Sequence, residues 1–396
     1  VNLFMDRFAN PYAPGAGTQP PELAGREPLL DQAILVLERL KRKRSEQSMM
    51  VLGLRGVGKT VLLNRILAIA EERGYEAEIL ESPEDRDLAS LLAPALRRIL
   101  IRLSRRSAAA EAVRTAIRAL RNFASAFELR IGDIGVGVTL EPGVADTGDL
   151  ETDLPELFDA VGKAASEAEA GVALLIDEVQ YLSRNDLAAL LVACHKAAQR
   201  NHPVAVFGAG LPQLAGLAGE AKSYAERLFS YPRIGALEPS AARRALIEPA
   251  EALKVEYTKE AVSMILSETR AYPYFLQEWG YHVWAIADES PIDADDVAAA
   301  TAKAIKSLDE NFFSVRFDRL TPKEQSYLRA MAQLGEGPHR SGAIAEALER
   351  SVNQVAPLRN GLIKKGMIYS PAHGDTAFTV PMFDAFLKRQ MPDWRP

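Results

Sequence analysis

Lys59 and Thr60 close the run GLRGVGKT, in which Gly53, Gly58, Lys59 and Thr60 keep the spacing G-x-x-x-x-G-K-T. Glycines at those positions let the backbone curl until several N–H groups point at one place. A helix that begins there adds the positive end of its dipole. The chemistry is that of phosphate binding. Lys59 brings a mobile positive charge toward the β- and γ-phosphates, and the Thr60 hydroxyl can ligate Mg²⁺. Gly53, Arg55, Gly56, Val57, Gly58, Lys59, Thr60 and Val61 are the candidate phosphate-side residues. The alternative is a glycine turn beside a solvated lysine.

A phosphate site of this kind needs an acidic partner for its metal. The run VALLIDEVQYL ends a buried apolar stretch in Asp177 and Glu178. Asp177 would hold Mg²⁺ through water, and Glu178 would polarise an attacking water. The same two carboxylates could instead cap the helix that follows.

The flanking pattern predicts the elements that must position these groups. SMMVLGL before the loop is a short apolar run and reads as a buried strand. KTVLLNRILAIAEERGY after it reads as an amphipathic helix ended by Gly74. EAEILES, GVALLID (171–177), PVAVFGAG (203–210) and YPRIGAL (231–237) read as further strands separated by helices. That alternation predicts an α/β fold with a parallel sheet covered on both faces. Residues 86–126 read as helical and arginine-rich, and FELRIGDIGVGVTLEPG as a small inserted hairpin. From about 238 to 310 the pattern is helical. From 321 onward it reads as three helices, a hairpin and a closing helix. The lead-in NPYAPGAGTQPPE is rich in Pro and Gly and reads as extended.

Composition bounds the reading. The chain has 396 residues, 48% hydrophobic and 25% charged, with a net charge of −6. It is too long for one ordinary domain and too acidic to coat nucleic acid through bulk charge. Its one cysteine, Cys194, excludes an intrachain disulfide and a cysteine-based zinc site. No apolar run reaches the length of about 20 residues that a membrane span needs, and the N-terminal stretch has no signal-peptide pattern. The expectation is a soluble cytoplasmic protein with no membrane partner.

Together LAGRE (23–27), GLRGVGKT, LLIDEVQ, a helical lid and a C-terminal winged helix resemble the AAA+ P-loop ATPases of the origin-recognition and archaeal-ATPase type, and the related signal-transduction ATPases with numerous domains. The resemblance implies an Mg²⁺-dependent ATP site on an ATPase core at 1–237, interrupted by an inserted segment at about 86–150. A lid at 238–312 and a winged helix at 313–396 would follow. It places Leu23, Gly25 and Arg26 on the adenine side, with a surface ion pair as the alternative for Arg26. Pro273 matches the lid proline of the signal-transduction branch. Arg227 stands where such ATPases carry an arginine finger, with Arg233 as rival. A finger in trans requires a homo-oligomer; the alternative for Arg227 is an ion pair with Glu226 or another acid. Two departures are plain. The fourth strand ends in Gly208, Ala209 and Gly210 where a polar sensor residue is usual, leaving Gln180 or Gln213 to stand in. Arg270 lies one turn early for a lid sensor. Both departures imply slow hydrolysis.

In the C-terminal module, Val355, Leu358, Leu362 and Ile363 fall on one side of the third helix. Asn353, Pro357, Asn360, Gly361 and Lys364 fall on the other, with Lys365 at the edge. That outer face is polar but weakly basic, as is the turn PAHGD. Double-stranded DNA is one reading of that face, although groove-binding helices normally bring several Arg or Lys to phosphate. Protein contact, or a lock against the ATPase core, is the alternative. The denser arginines at 97, 98, 102, 105, 106, 114, 118, 121 and 130 form either a DNA track or a solvated helix face. Two functions follow: an ATPase acting on or near DNA, or an ATP switch that recruits a protein partner.

Overall fold

The computed structural model of the chain describes residues 5–15, 24–83, 86–105, 110–129 and 143–396. Five strands form one parallel sheet: β1 (Ser48–Leu52), β2 (Tyr75–Glu81), β3 (Gly171–Asp177), β4 (Val204–Gly210) and β5 (Phe229–Ser230). Their order is β2-β3-β4-β1-β5. β1 and β3 are buried along their whole length. That is the signature of a parallel sheet with both faces covered. Register aligns Leu52 with Gly210, and Ile176 with Gly208. The carboxyl ends of β1, β3 and β4 therefore lie side by side, where open α/β sheets bind their ligands.

Helices cover the sheet. The helix Lys59–Glu72 buries Leu62, Leu63, Ile66 and Ile69. Leu88–Leu103, Ala110–Ala126 and Leu150–Glu167 pack Leu96, Leu120 and Phe158 into one core with Leu174, Ile176 and Val206 of the sheet. The expected inserted hairpin falls largely on residues 130–142, outside the described residues.

By its internal contacts the chain divides into two compact units. One is Arg26–Gly53 with Lys59–Ile234, and it contains the sheet. The other is Val1–Gly25, Leu54–Gly58 and Gly235–Pro396. The second unit holds the expected helical run, from Pro239–Glu251 to Ala294–Ser307, followed by a π-helical turn at Leu308–Phe313. Beyond it come Pro322–Gln333, Ser341–Ala347 and Val352–Lys364. An antiparallel sheet of β6 (His339–Arg340), β7 (Ile368–Tyr369) and β8 (Asp375–Phe378) and a last helix, Phe383–Gln390, complete the chain. Part of the lead-in is tied down. The Tyr12 hydroxyl donates to the Leu246 carbonyl at 2.5 Å, and the Trp284 indole donates to the carbonyl of Asp6 at 2.9 Å. Among the described residues no helix is long and apolar enough to cross a membrane.

One expectation needs correction. The fifth strand is not 231–237 but the two residues Phe229–Ser230, with a lone bridge from Leu52 to Arg233. Pro232 has no N–H to give a ladder, so only its carbonyl bonds, accepting from Leu52 N.

The start of β3 shows how tightly the sheet is packed. A Cβ on Gly171 would lie 2.2 Å from a ring carbon of the buried Tyr75, whose hydroxyl is held by the Leu37 carbonyl at 2.6 Å. Gly171→Ala is therefore expected to destabilise by about 1–3 kcal/mol, the usual scale for overpacking. Urea unfolding should show a lower midpoint; an unchanged midpoint would mean that the Tyr75 ring can move aside.

Candidate functional site

Within the sheet unit, the end of β1 is bonded to the end of β4. Gly53 N donates to the carbonyl of Gly210 at 3.0 Å. Lys59 opens the next helix and is buried; its Nζ donates to the Gly53 carbonyl at 3.1 Å. Thr60 Oγ1 donates to Asp177 Oδ2 at 2.5 Å, across 117 residues of sequence. Asp177 is 5% exposed. Burial holds its carboxyl above the ordinary value, the Thr60 bond opposes that rise, and the nearby Glu178 charge adds to it. Asp177 also accepts from Glu178 N at 2.8 Å through Oδ1. Glu178 itself lies in the left-handed region, at φ 54 and ψ 37. Non-glycine residues rarely adopt it, and such strain collects at functional sites. Its carboxylate Oε2 accepts from the Gln180 side chain, whose Oε1 accepts from Leu211 N at 2.9 Å.

Within the other unit, the loop residues Leu54–Gly58 have their own partners. Gly56 and Gly58 take φ of +82 and +87, a conformation that favours glycine. The Gly56 carbonyl accepts from Tyr274 N at 3.2 Å, and Arg55 N donates to the Thr379 carbonyl at 3.0 Å. A Cβ on Gly56 would come within 3.1 Å of the Tyr274 Cβ. Pro273 is the first residue of the helix Pro273–Ile286, where its missing N–H is no loss. Gly25 has φ +74 and sits so close to Ala241 that a Cβ would lie 2.9 Å from that side chain.

The structure thus brings Lys59, Thr60, Asp177 and Glu178 together. Arg26 of the sheet unit is buried, at 8% exposure. Leu23 lies outside the described residues. Val57 is buried, Val61 partly buried. Arg227 is the third residue of the short helix Ala225–Leu228, exposed and without an ion pair among the described residues; Arg233 is exposed as well. Arg270 caps its helix in the left-handed conformation and pairs with Glu336. Gln180, one of two candidates for the missing sensor, is in the bond network, and Gln213 is not.

Several arginines of the supposed DNA track are engaged otherwise. Arg98 meets Glu78 at 2.7 Å, and Arg102 meets Glu76 and Glu78 at 2.8 and 2.7 Å. Both carboxylates belong to β2, a pairing that sequence distance hides. Arg106 and Arg130 are outside the described residues. In the C-terminal region Arg359, which the sequence reading passed over, donates to Thr376, Ser370 and the Asp375 carbonyl. Lys365 meets Glu324 at 2.8 Å, and Arg340 meets Asp375 at 3.1 Å.

Among the described residues, no group of three or more His, Cys, Asp or Glu could hold a metal. Mg²⁺ is commonly bound by one or two carboxylates, with phosphate and water completing its octahedron. The Thr60 hydroxyl and the Asp177 carboxylate, already in contact, fit such a role.

Residues 22–207 match the family described as AAA ATPase domain. Residues 310–387 match a domain of unknown function, DUF8462. Comparison with curated proteins gives no match. Among solved structures the fold is similar to the Walker-type ATPase PABY2304 of Pyrococcus abyssi. Identity is 15% and the TM-score 0.60, over 94% of this chain and 97% of that one. It is also similar to the Aeropyrum pernix Orc1 protein in complex with DNA, at 16% identity and TM-score 0.50, over 98% and 97% of the two chains. Over residues 22–207 the chain matches the AAA ATPase domain, and its fold is similar to those of these two structures.

Proposed function

We propose that the chain binds ATP with Mg²⁺ at residues 53–60 and hydrolyses it, and that its C-terminal region responds to the nucleotide. The observation that carries the reading is the contact between Thr60 and the buried Asp177. It joins the first turn of the helix after the loop to the last residue of β3.

Each residue then has a role. Lys59 exchanges the Gly53 carbonyl for phosphate oxygen. Thr60 and Asp177 hold the metal, which when bound neutralises charge on the β- and γ-phosphates. Glu178 orients the attacking water and draws its proton. Arg227, exposed and unengaged among the described residues, acts on the γ-phosphate of a neighbouring subunit.

The C-terminal region has two readings. Action on double-stranded DNA through a winged helix is supported by the fold shared with the DNA-bound Orc1 protein. The engagement of Arg359, Lys365 and Arg340 by internal partners weakens it. A switch that recruits a protein partner is favoured by one contact, Arg55 N on the Thr379 carbonyl, which ties the phosphate loop to the end of β8. ATP turnover measured with and without duplex DNA, alongside oligomeric state, separates them. Stimulation by DNA supports the first reading; assembly that depends on nucleotide alone supports the second.

Lys59→Ala is expected to abolish ATP binding in a calorimetric titration. Glu178→Gln should retain binding and lower turnover by about 10² or more, the scale of losing a positioned base. Equal turnover of wild type and Glu178→Gln would place the base elsewhere.

Asp177→Asn makes a different prediction. A carboxyl raised in the folded state binds its proton more tightly there than in the unfolded chain. Its ionisation therefore reduces stability as pH rises through the window above the unfolded value of about 4. In nucleotide-free protein at neutral pH the Asn variant should equal or exceed wild type in its urea midpoint. It should also lose the extra stability that Mg²⁺ with ATP confers. A variant that is less stable without nucleotide would show that the Thr60 bond outweighs the buried charge.

For Arg227, the test is a mixture of Arg227→Ala with Lys59→Ala subunits. One keeps a nucleotide pocket and lacks the finger; the other lacks the pocket and can lend the finger. A finger in trans restores part of the activity on mixing. No restoration, or turnover by a strictly monomeric protein, would refute it.

A further inference from the structure

The fourth strand ends in glycine, yet the structure supplies polar chemistry there by another route. The peptide group between Gly210 and Leu211 is bonded on both sides. Its carbonyl accepts from Gly53 N at 3.0 Å, where the phosphate loop begins. Its N–H donates to Gln180 Oε1 at 2.9 Å. The Gln180 amide then donates to Glu178 Oε2. The orientation of that amide follows from its partners. An N–H demands the oxygen and a carboxylate demands the NH₂, and a flipped amide would fail at both. The glycine is required by the same arrangement. A Cβ on Gly210 would lie 2.6 Å from Gln180 Oε1 and 3.0 Å from Leu214 Cδ2.

We infer that Gln180 is a positioning residue for hydrolysis, which carries the placement of the β4 end to the carboxylate of Glu178. The inference rests on the proposed role of Glu178 as base. Glu178 leaves β3 in a strained left-handed turn and projects from a short 3₁₀ segment, Val179–Tyr181. The Gln180 amide restrains one oxygen of its carboxylate. Because the Gly210–Leu211 peptide also binds Gly53, a shift at the start of the phosphate loop is transmitted through the peptide and the amide to the base. Gln180 itself touches neither phosphate nor water in this scheme.

Two variants test it. Gln180→Glu keeps the volume and the acceptor for Leu211 N, but sets a second carboxylate against Glu178. Gly210→Ala leaves Gln180 in the chain and pushes its amide away. Both should bind ATP with an affinity near that of wild type. Both should lose about 10- to 100-fold in kcat with little change in KM, the range that misplacing a catalytic group produces. Combined with Glu178→Gln, neither should lower kcat further, because the base through which they act is already gone. The ATP titration reports whether each variant still folds its site, and Gly210→Ala covers the case in which Gln180→Glu does not fold. A variant with full kcat in an active wild-type background overturns the role of Gln180 alone. Loss of ATP binding and kcat together in both variants makes Gln180 a structural residue and also overturns it. Additive loss in the double variants shows that it acts elsewhere. A wild type without turnover overturns the hydrolytic reading, and this inference falls with it.

Discussion

One contact organises the sheet unit: the Thr60 hydroxyl on the Asp177 carboxylate. β1 and β3 are not neighbours; β4 lies between them. Strands two places apart are separated by roughly 10 Å. The gap is closed because Thr60 sits on the first turn of the helix after the loop, and Asp177 is the last residue of its strand. Strand order, register and helix start must all be right for two oxygens to meet. The close packing at Gly171 and Tyr75 fixes the register of β3 against β2 at one end, so that Asp177 emerges at the proper height at the other.

That arrangement is electrostatically unfavourable by itself. Asp177 is buried beside a second carboxylate, and burial disfavours its charge. Lys59, also buried, turns to a carbonyl of its own loop. The Lys59 charge offsets part of that penalty, because it favours the charged form of the Asp177 carboxyl.

Much of this was legible in the sequence because the signals are local. Strand, glycine loop and helix follow one another within residues 48–72, and β3 is a continuous apolar run ending in acid. What was not legible depends on residues far apart in sequence. The fifth strand shrank because its length is set by pairing with β1 and by Pro232, which has no N–H to pair. The arginines at 98 and 102 looked available, but Glu76 and Glu78 approach them across the packing of a helix on β2. Arg359 was invisible as a clamp because Ser370 and Thr376 meet it only once the hairpin folds back. Gln180 and Gln213 are equivalent by spacing, and only the fold brings the Gln180 amide to the carboxylate of Glu178.

The loop residues Leu54–Gly58 carry a further constraint. Their backbone is bonded to Tyr274 and to Thr379, two partners more than 200 residues away in sequence. Tyr274 stacks on Phe312 at 4.6 Å between ring centroids, and the next residue, Phe313, stacks on Phe386 at 5.2 Å. These rings flank the π-helical turn at Leu308–Phe313, a form often found at functional sites. Thr379 is held in turn, its hydroxyl donating to the Gly366 carbonyl at 2.6 Å. A packed aromatic chain has few ways to deform, so it tends to shift between discrete arrangements. If the loop backbone changes when phosphate binds, the bonds at Gly56 and Arg55 must change with it, and the rings are the elements through which that change would travel. Within this unit the backbone of Leu54–Gly58 is thus bonded both to the start of the helix at Pro273 and to the chain just after β8.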